Sequence, residues 1–266
     1  MRLIGVQLDI VWEDKAATFE RVRRLLDAGQ PPAGSLVVLP EMFATGFSMN
    51  VAAIREGGER PAERFLESVA REYGVHVLGG VVNSDADAKG RNQALVFGPD
   101  GRELCRYDKI HPFNLGEEGE HYAGGSAVRC FDWGGMTVAP LVCYDLRFPE
   151  TFREAVATRQ GRRAAQLFAV IANWPSRRDG HWVTLLQARA IENQAYVIGV
   201  NRCGSDPKHA YSGRSLIVDP HGKVLADAGS DECLISAEVD VAAVESWRRE
   251  FPALADMEDA VRRRAR

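Results

Sequence analysis

The chain has 266 residues, 45% hydrophobic and 26% charged, the composition of an ordinary globular protein. Its formal net charge of −4 excludes the basic footprint of a nucleic-acid binder, and no apolar run approaches the ~20 residues of a membrane span. Five cysteines (105, 130, 143, 203 and 233) are odd in number and widely spaced, and the six histidines have no ligand spacing. This usage predicts reduced thiols in a cytoplasm, with neither a disulfide framework nor a metal site.

The opening "MRLIGVQLDI" lacks a cleavage site and reads as a first core strand (3–8) rather than a signal peptide. Residues 14–29 form a predicted helix with Phe19, Val22, Leu25 and Leu26 on one face and Gly29 at its end. "SLVVLP" (35–40) is a buried strand, 61–74 a helix opened by Pro61, and 75–82 a strand. Residues 92–109 make two strands around Pro99-Asp100-Gly101. The second half repeats the rhythm: strands at 128–133 and 136–143, a helix at 150–160, a strand at 166–173, a long helix at 180–194 and a strand at 196–201. A hairpin turning at "DPHG" (215–229), a last strand at 233–240 and a short helix to Phe251 complete the pattern, leaving the basic "RRRAR" in a C-terminal tail within 252–266. Strands alternating with helices predict an α/β protein, and the hairpins make its sheets mixed. With no linker or composition break, one domain over 1–266 is expected, built as two sheets back to back with helices outside. No Gly-rich phosphate loop is present, so no cofactor is expected.

Three reactive side chains stand just past the ends of apolar strands: Glu41 after "LVVLP", Lys109 after "LCRYD" and Cys143 after "APLV". Ligands in α/β sheets lie outside the carboxyl ends of strands, so the three can converge on one crevice. A thiol with a pKa near ~8.5 needs a base, which a desolvated carboxylate can be. A fixed cation suits the oxyanion that forms when an amide carbonyl is attacked.

The motifs around them stand as "LPEMFATGF", "YDKIHPF" and "LVCYDLRFP". In that order they resemble the nitrilase (carbon–nitrogen hydrolase) superfamily over nearly the whole chain. The stretches "NWPSRRDGHW" and "ARAIENQAYVIGVNRCG" are similar to its bacterial omega-amidase branch. The resemblance implies a four-layer αββα sandwich, usually dimerised. It implies Glu41 as general base, Lys109 as oxyanion-stabilising cation, Cys143 as nucleophile and the Tyr144 N–H as an oxyanion donor. It also implies a second glutamate in "GEEGEHYAGG", where Glu117, Glu118 and Glu120 are candidates and Glu118 best fits the spacing to the lysine motif and to Gly125.

The expected reaction is hydrolysis of a small linear ω-amide, with 2-oxoglutaramate or 2-oxosuccinamate implied by the branch. Carbamoylase and nitrilase activities use the same triad. A Cys–His hydrolase using His111 or His121, or a non-catalytic thiol protein, is the alternative from another class. A substrate carboxylate needs a cation: Arg178, in the loop after the strand at 166–173, is the candidate over Arg177, and Arg147 is expected to pair with Asp145. Trp174 is either cleft wall or packing. Trp182, Leu185, Leu186 and Ile191 read as core or subunit interface. The expected partners are the small amide and further copies of the chain, as a homodimer or higher homo-oligomer, with neither nucleic acid nor membrane.

Overall fold

The computed structural model describes residues 1–84, 89–157 and 163–257. The first half runs β1 (Arg2–Gln7), α1 (Lys15–Gly29), β2 (Leu36–Val38), α2 (Val51–Ile54), α3 (Pro61–Tyr73), β3 (His76–Ser84), β4 (Gly90–Phe97), β5 (Glu103–Asp108) and the single turn α4 (Glu118–His121). The second runs β6 (Phe131–Trp133), β7 (Met136–Val142), α5 (Pro149–Val156), β8 (Leu167–Ala172), α6 (Asp179–Asn193) and β9 (Tyr196–Asn201). It closes with β10 (Cys203–Ser205), β11 (Ala210–Ser212), β12 (Leu216–Val218), β13 (Val224–Asp227), β14 (Cys233–Glu238) and α7 (Val241–Glu250).

Two six-stranded sheets result, in the orders β14-β1-β2-β3-β4-β5 and β13-β12-β9-β8-β7-β6. In each, three central strands are parallel and the flanks antiparallel. Strand alternation divides the side chains between two cores. Leu36, Val38, Leu78, Ala94 and Val96 face the second sheet, whose facing side carries Val138, Ile171 and Ile198. Val37, Val77, Leu95 and Phe97 face the other way, onto Val22 and Leu26 of α1 and Phe65, Leu66 and Val69 of α3. On the far side of the second sheet lie Phe152 of α5 and Trp182 and Leu186 of α6. The layers are α, β, β, α: the expected sandwich. Each buried aliphatic side chain contributes roughly 1.5–3 kcal/mol, so the doubly covered sheets carry most of the stability.

The predicted elements sit within a few residues of the observed ones, with informative differences. α1 is opened by Asp14, whose Oδ1 accepts from the Ala17 N–H at 3.0 Å. Gly29 does not end the helix by adopting a left-handed conformation; Gln30 does, at φ 43°. Gly29 instead makes room for Leu234, whose Cδ1 would lie 2.2 Å from an added Cβ. The β10–β11 hairpin and α2 had no counterpart in the sequence reading. The end of the 150–160 helix and the basic terminal run lie outside the described residues. No helix among the described residues is long and apolar enough to cross a membrane.

Candidate active site

Strand ends bring the charged residues together. Glu41 stands in the loop after β2, which crosses β3 where Gly80 leaves space. A Cβ on Gly80 would lie 2.4 Å from the Met42 nitrogen and 2.6 Å from the Glu41 Cα. Backbone bonds from Gly80 N to Pro40 O (3.1 Å) and from Phe43 N to Gly80 O (3.1 Å) lock that crossing. Lys109 follows β5, its N–H donating to Asn92 O at 2.9 Å and its C=O accepting from Gly125 N at 2.8 Å. Its Nζ reaches Glu41 Oε1 at 2.9 Å and Glu118 Oε2 at 2.8 Å. Asn92 Nδ2 donates to the same two carboxylates, at 2.7 and 2.9 Å, and Phe113 N–H donates to Glu118 Oε2 at 2.6 Å. Of the three acidic candidates only Glu118 is buried; Glu117 and Glu120 are exposed.

Burial alone would lower the Lys109 pKa, but the charges of Glu118 and Glu41 overcome it and hold the ammonium well above the ordinary lysine value. A fully hydrogen-bonded cation between two buried carboxylates is a fixed charge, suited to stabilising an anion that forms beside it.

Cys143 follows β7 with φ 47°, a left-handed conformation uncommon for a residue bearing a Cβ. The chain then enters a 3₁₀ turn, Cys143–Arg147, whose first N–H after the thiol is that of Tyr144. Asp145, fully buried, braces the turn by accepting from Val142 N–H (3.0 Å), Tyr107 OH (2.7 Å) and His111 N–H (3.0 Å). Burial raises the Cys143 thiol well above its usual pKa, Glu41 adds to this, and Lys109 opposes it only in part. The resting thiol is protonated and needs a base to become a nucleophile. Of the charged neighbours, Glu41 acts on this thiol most strongly.

A cleft of about 310 Å³ opens above Cys143. Its walls include Phe47, Phe113, Tyr144 and Trp174, with Arg147 and Arg178 at the sides. The Arg147 guanidinium lies 4.7 Å over the Trp174 ring and the Arg178 guanidinium 5.4 Å over Phe113. Neither pairs with a carboxylate among the described residues. Burial and the charges of Arg177 and Arg147 lower the Arg178 pKa. Among the described residues no group of three or more His, Cys, Asp or Glu side chains is placed to hold a metal ion.

Residues 5–249 match the carbon–nitrogen hydrolase family model. The chain belongs to the carbon–nitrogen hydrolase family. It is 37% identical to the protein named omega-amidase YafV of Yersinia enterocolitica, over 96% of each chain. With the 2-oxoglutaramate amidase of Bacillus subtilis it shares 32% identity over 95% of each. The structure of XC1258 from Xanthomonas campestris, described as a CN-hydrolase superfamily protein with an arsenic adduct in its active site, superposes with a TM-score of 0.88 at 36% identity, covering 96% of each chain. Yeast Nit3, of the nitrilase superfamily, gives 0.82 at 28% identity, covering 95% of this chain and 94% of its own. The protein is thus an amidohydrolase of this family with the family's αββα fold.

In this carbon–nitrogen hydrolase the sequence-predicted Glu41, Lys109 and Glu118 meet directly, and Cys143, Tyr144, Trp174 and Arg178 share the cleft. Trp174 is both cleft wall and packing: it is 3% exposed, and its ring lies 5.5 Å from that of Trp182. Arg177 does not line the cleft; its Nη2 lies 3.0 Å from Nδ1 of His209 at the rim. The expected Arg147–Asp145 pair does not form, because Asp145 is occupied by Tyr107, His111 and the Val142 N–H; Arg147 turns to the cleft instead. Trp182 and Leu186 are core, whereas Ile191 is 54% exposed. His111 is committed to Asp145 at 2.8 Å and stacked on Phe148, which leaves it poorly placed as a cysteine's base.

Asn92 and Asn173 escaped the sequence reading, and both contact Glu41. Asn173 had a signal in plain view, since it follows β8 as Glu41, Lys109 and Cys143 follow their strands. Asn92 lies inside β4, where nothing but an amide at a buried position marks it. The β10–β11 hairpin adds Lys208, His209 and Tyr211 to the cleft rim.

Proposed function

We propose that the protein hydrolyses the ω-amide of a short 2-oxo dicarboxylic acid monoamide, such as 2-oxoglutaramate or 2-oxosuccinamate, through a thioester on Cys143. The observation that carries this reading is the Glu41–Lys109–Glu118 cluster beside a protonated thiol, in a cleft with two arginines that have no carboxylate partner. The omega-amidase and 2-oxoglutaramate amidase names of its relatives support the substrate class.

In the proposed cycle Glu41 takes the thiol proton as Cys143 adds to the amide carbon. Lys109 and the Tyr144 N–H hold the oxyanion. Glu41 then protonates the departing nitrogen, which leaves as ammonia, and water activated by Glu41 releases the acid from the thioester. Glu118 holds Lys109 in place, and Arg178 receives the distal carboxylate as a bidentate fork. The enzyme is read as one domain over 1–266, working in the cytoplasm without a cofactor, as a homodimer or higher homo-oligomer.

Ammonia release measured across ω-amides, simple amides, carbamoyl amines and nitriles tests the substrate class. The 2-oxo ω-amides should give the highest kcat/KM, and a preference for carbamoyl amines or nitriles would overturn the assignment. Arg178→Ala should lower kcat/KM for 2-oxoglutaramate about ten- to a hundredfold, the loss of a charge-assisted contact worth roughly 1.5–3 kcal/mol. Hydrolysis of uncharged hexanamide should barely change. Equal losses on both substrates would make Arg178 a support of its loop.

A further inference from the structure

Asn173 does two things at once. Its backbone N–H donates to Glu41 Oε2 at 2.8 Å, and its side-chain Nδ2 donates to the Glu41 backbone oxygen at 2.6 Å. Because a carbonyl oxygen can only accept, the second bond fixes which end of the amide is NH₂. The other end, Oδ1, is buried and has no hydrogen-bond partner. Asn173 is 4% exposed and lines the cleft with Cys143. Of the buried side-chain atoms left without a partner among the described residues, this alone belongs to a residue lining the cleft. Buried acceptors are almost always satisfied, so one left without a partner on a cleft-lining residue points to a donor that arrives with the ligand.

The scissile group of a primary amide carries two N–H donors. An ester, a nitrile or a free carboxylate carries none. We propose that Asn173 Oδ1 accepts one N–H of the substrate's amide group and holds the leaving nitrogen against Glu41, making Asn173 the residue that selects primary amides over esters. This rests on the reading of Cys143 as nucleophile and Glu41 as base. During acylation the Sγ–C bond forms, the C–N bond breaks and its electron pair stays on nitrogen. The proton that Glu41 removed from the thiol passes to that nitrogen, which departs as NH₃. Oδ1 keeps one N–H throughout, which leaves the developing lone pair facing the Glu41 carboxyl. The residue that orients the base thereby also orients the group the base must protonate.

The test compares 2-oxoglutaramate with the ω-methyl ester of 2-oxoglutarate, which presents the same acyl group and carboxylate without an N–H. In Asn173→Ala, kcat/KM should fall on both substrates because Glu41 loses a clamp, and about tenfold further on the amide, as the loss of one hydrogen bond predicts. Equal losses on amide and ester would overturn the role of Asn173 while leaving the proposed function standing. Wild-type enzyme that releases no ammonia would overturn the proposed function itself. Since Asn173→Ala can also fail to fold, a crystal structure of Cys143→Ala with 2-oxoglutaramate gives an independent reading. The amide nitrogen should lie within hydrogen-bond distance of Asn173 Oδ1, and a nitrogen facing any other wall of the cleft would overturn the proposal.

Discussion

Lys109 is buried to 2% exposure between two carboxylates that are themselves fully buried. Removing the cation leaves two like charges in low dielectric with no compensation. Lys109→Met should therefore destabilise the fold by about 3–5 kcal/mol, the cost of breaking a buried pair from one side. It should also slow acylation by about 10²–10³, the cost of a lost oxyanion donor. Denaturant titration and single-turnover kinetics would separate the two losses, and a variant of unchanged stability would mean that the cluster is not closed to water. Among the neighbouring acids the burial is selective. Glu118→Ala should impair turnover strongly, whereas Glu117→Ala and Glu120→Ala should be mild, because only Glu118 meets Lys109. The glutamate, lysine and cysteine were legible in the chain because reactive side chains directly after apolar runs are conspicuous. Arg147 was misread for a physical reason: proximity to Asp145 in sequence says nothing about the Tyr107 and His111 groups that reach Asp145 from another strand end.

Elements explain why these side chains converge. The loop carrying Glu41 lies against β3 only because Gly80 has no side chain, and the nearest atoms to an added Cβ are backbone, which cannot swing aside. Gly80→Ala should displace Glu41 and cost at least about tenfold in kcat/KM, with steady-state ammonia release as the measurement. Near-normal activity would show that the crossing can relax. Long periodic elements were readable, since α1, α3 and α6 show apolar residues at helical spacing and β7 to β9 are continuous apolar runs. The β10–β11 hairpin was not. Its three-residue strands offer no periodicity, its pairing is backbone-driven, and its residues reach the cleft by tertiary packing alone. That is why Lys208 and Tyr211 were invisible as rim residues.

Over the whole molecule, the four-layer order followed from strands alternating with helices in two similar halves. The strand order within each sheet did not, because pairing β14 with β1 spans nearly the entire chain. Burial of two thiols bears on stability at high pH. Burial pushes both the Cys105 and Cys203 thiols up to about 12, from an ordinary value near 9. In the unfolded chain these thiols ionise near 9, while in the native protein they keep their protons until about 12. The unfolded state therefore binds fewer protons across that window, and stability must fall as pH rises through it. Unfolding free energy from urea titrations should hold from neutral pH to about 9 and decline above. A flat profile to pH 11 would mean that these thiols are solvated.

The proposed thioester on Cys143 is the step on which every role proposed for its neighbours depends. Rapid acid quench of wild-type enzyme turning over 2-oxoglutaramate, followed by intact-mass and peptide mass spectrometry, would look for it. The expected result is an acyl adduct confined to the peptide containing Cys143, absent from Cys143→Ala, which should release no ammonia. An adduct on any other residue, or a Cys143→Ala protein that still turns over, would contradict it.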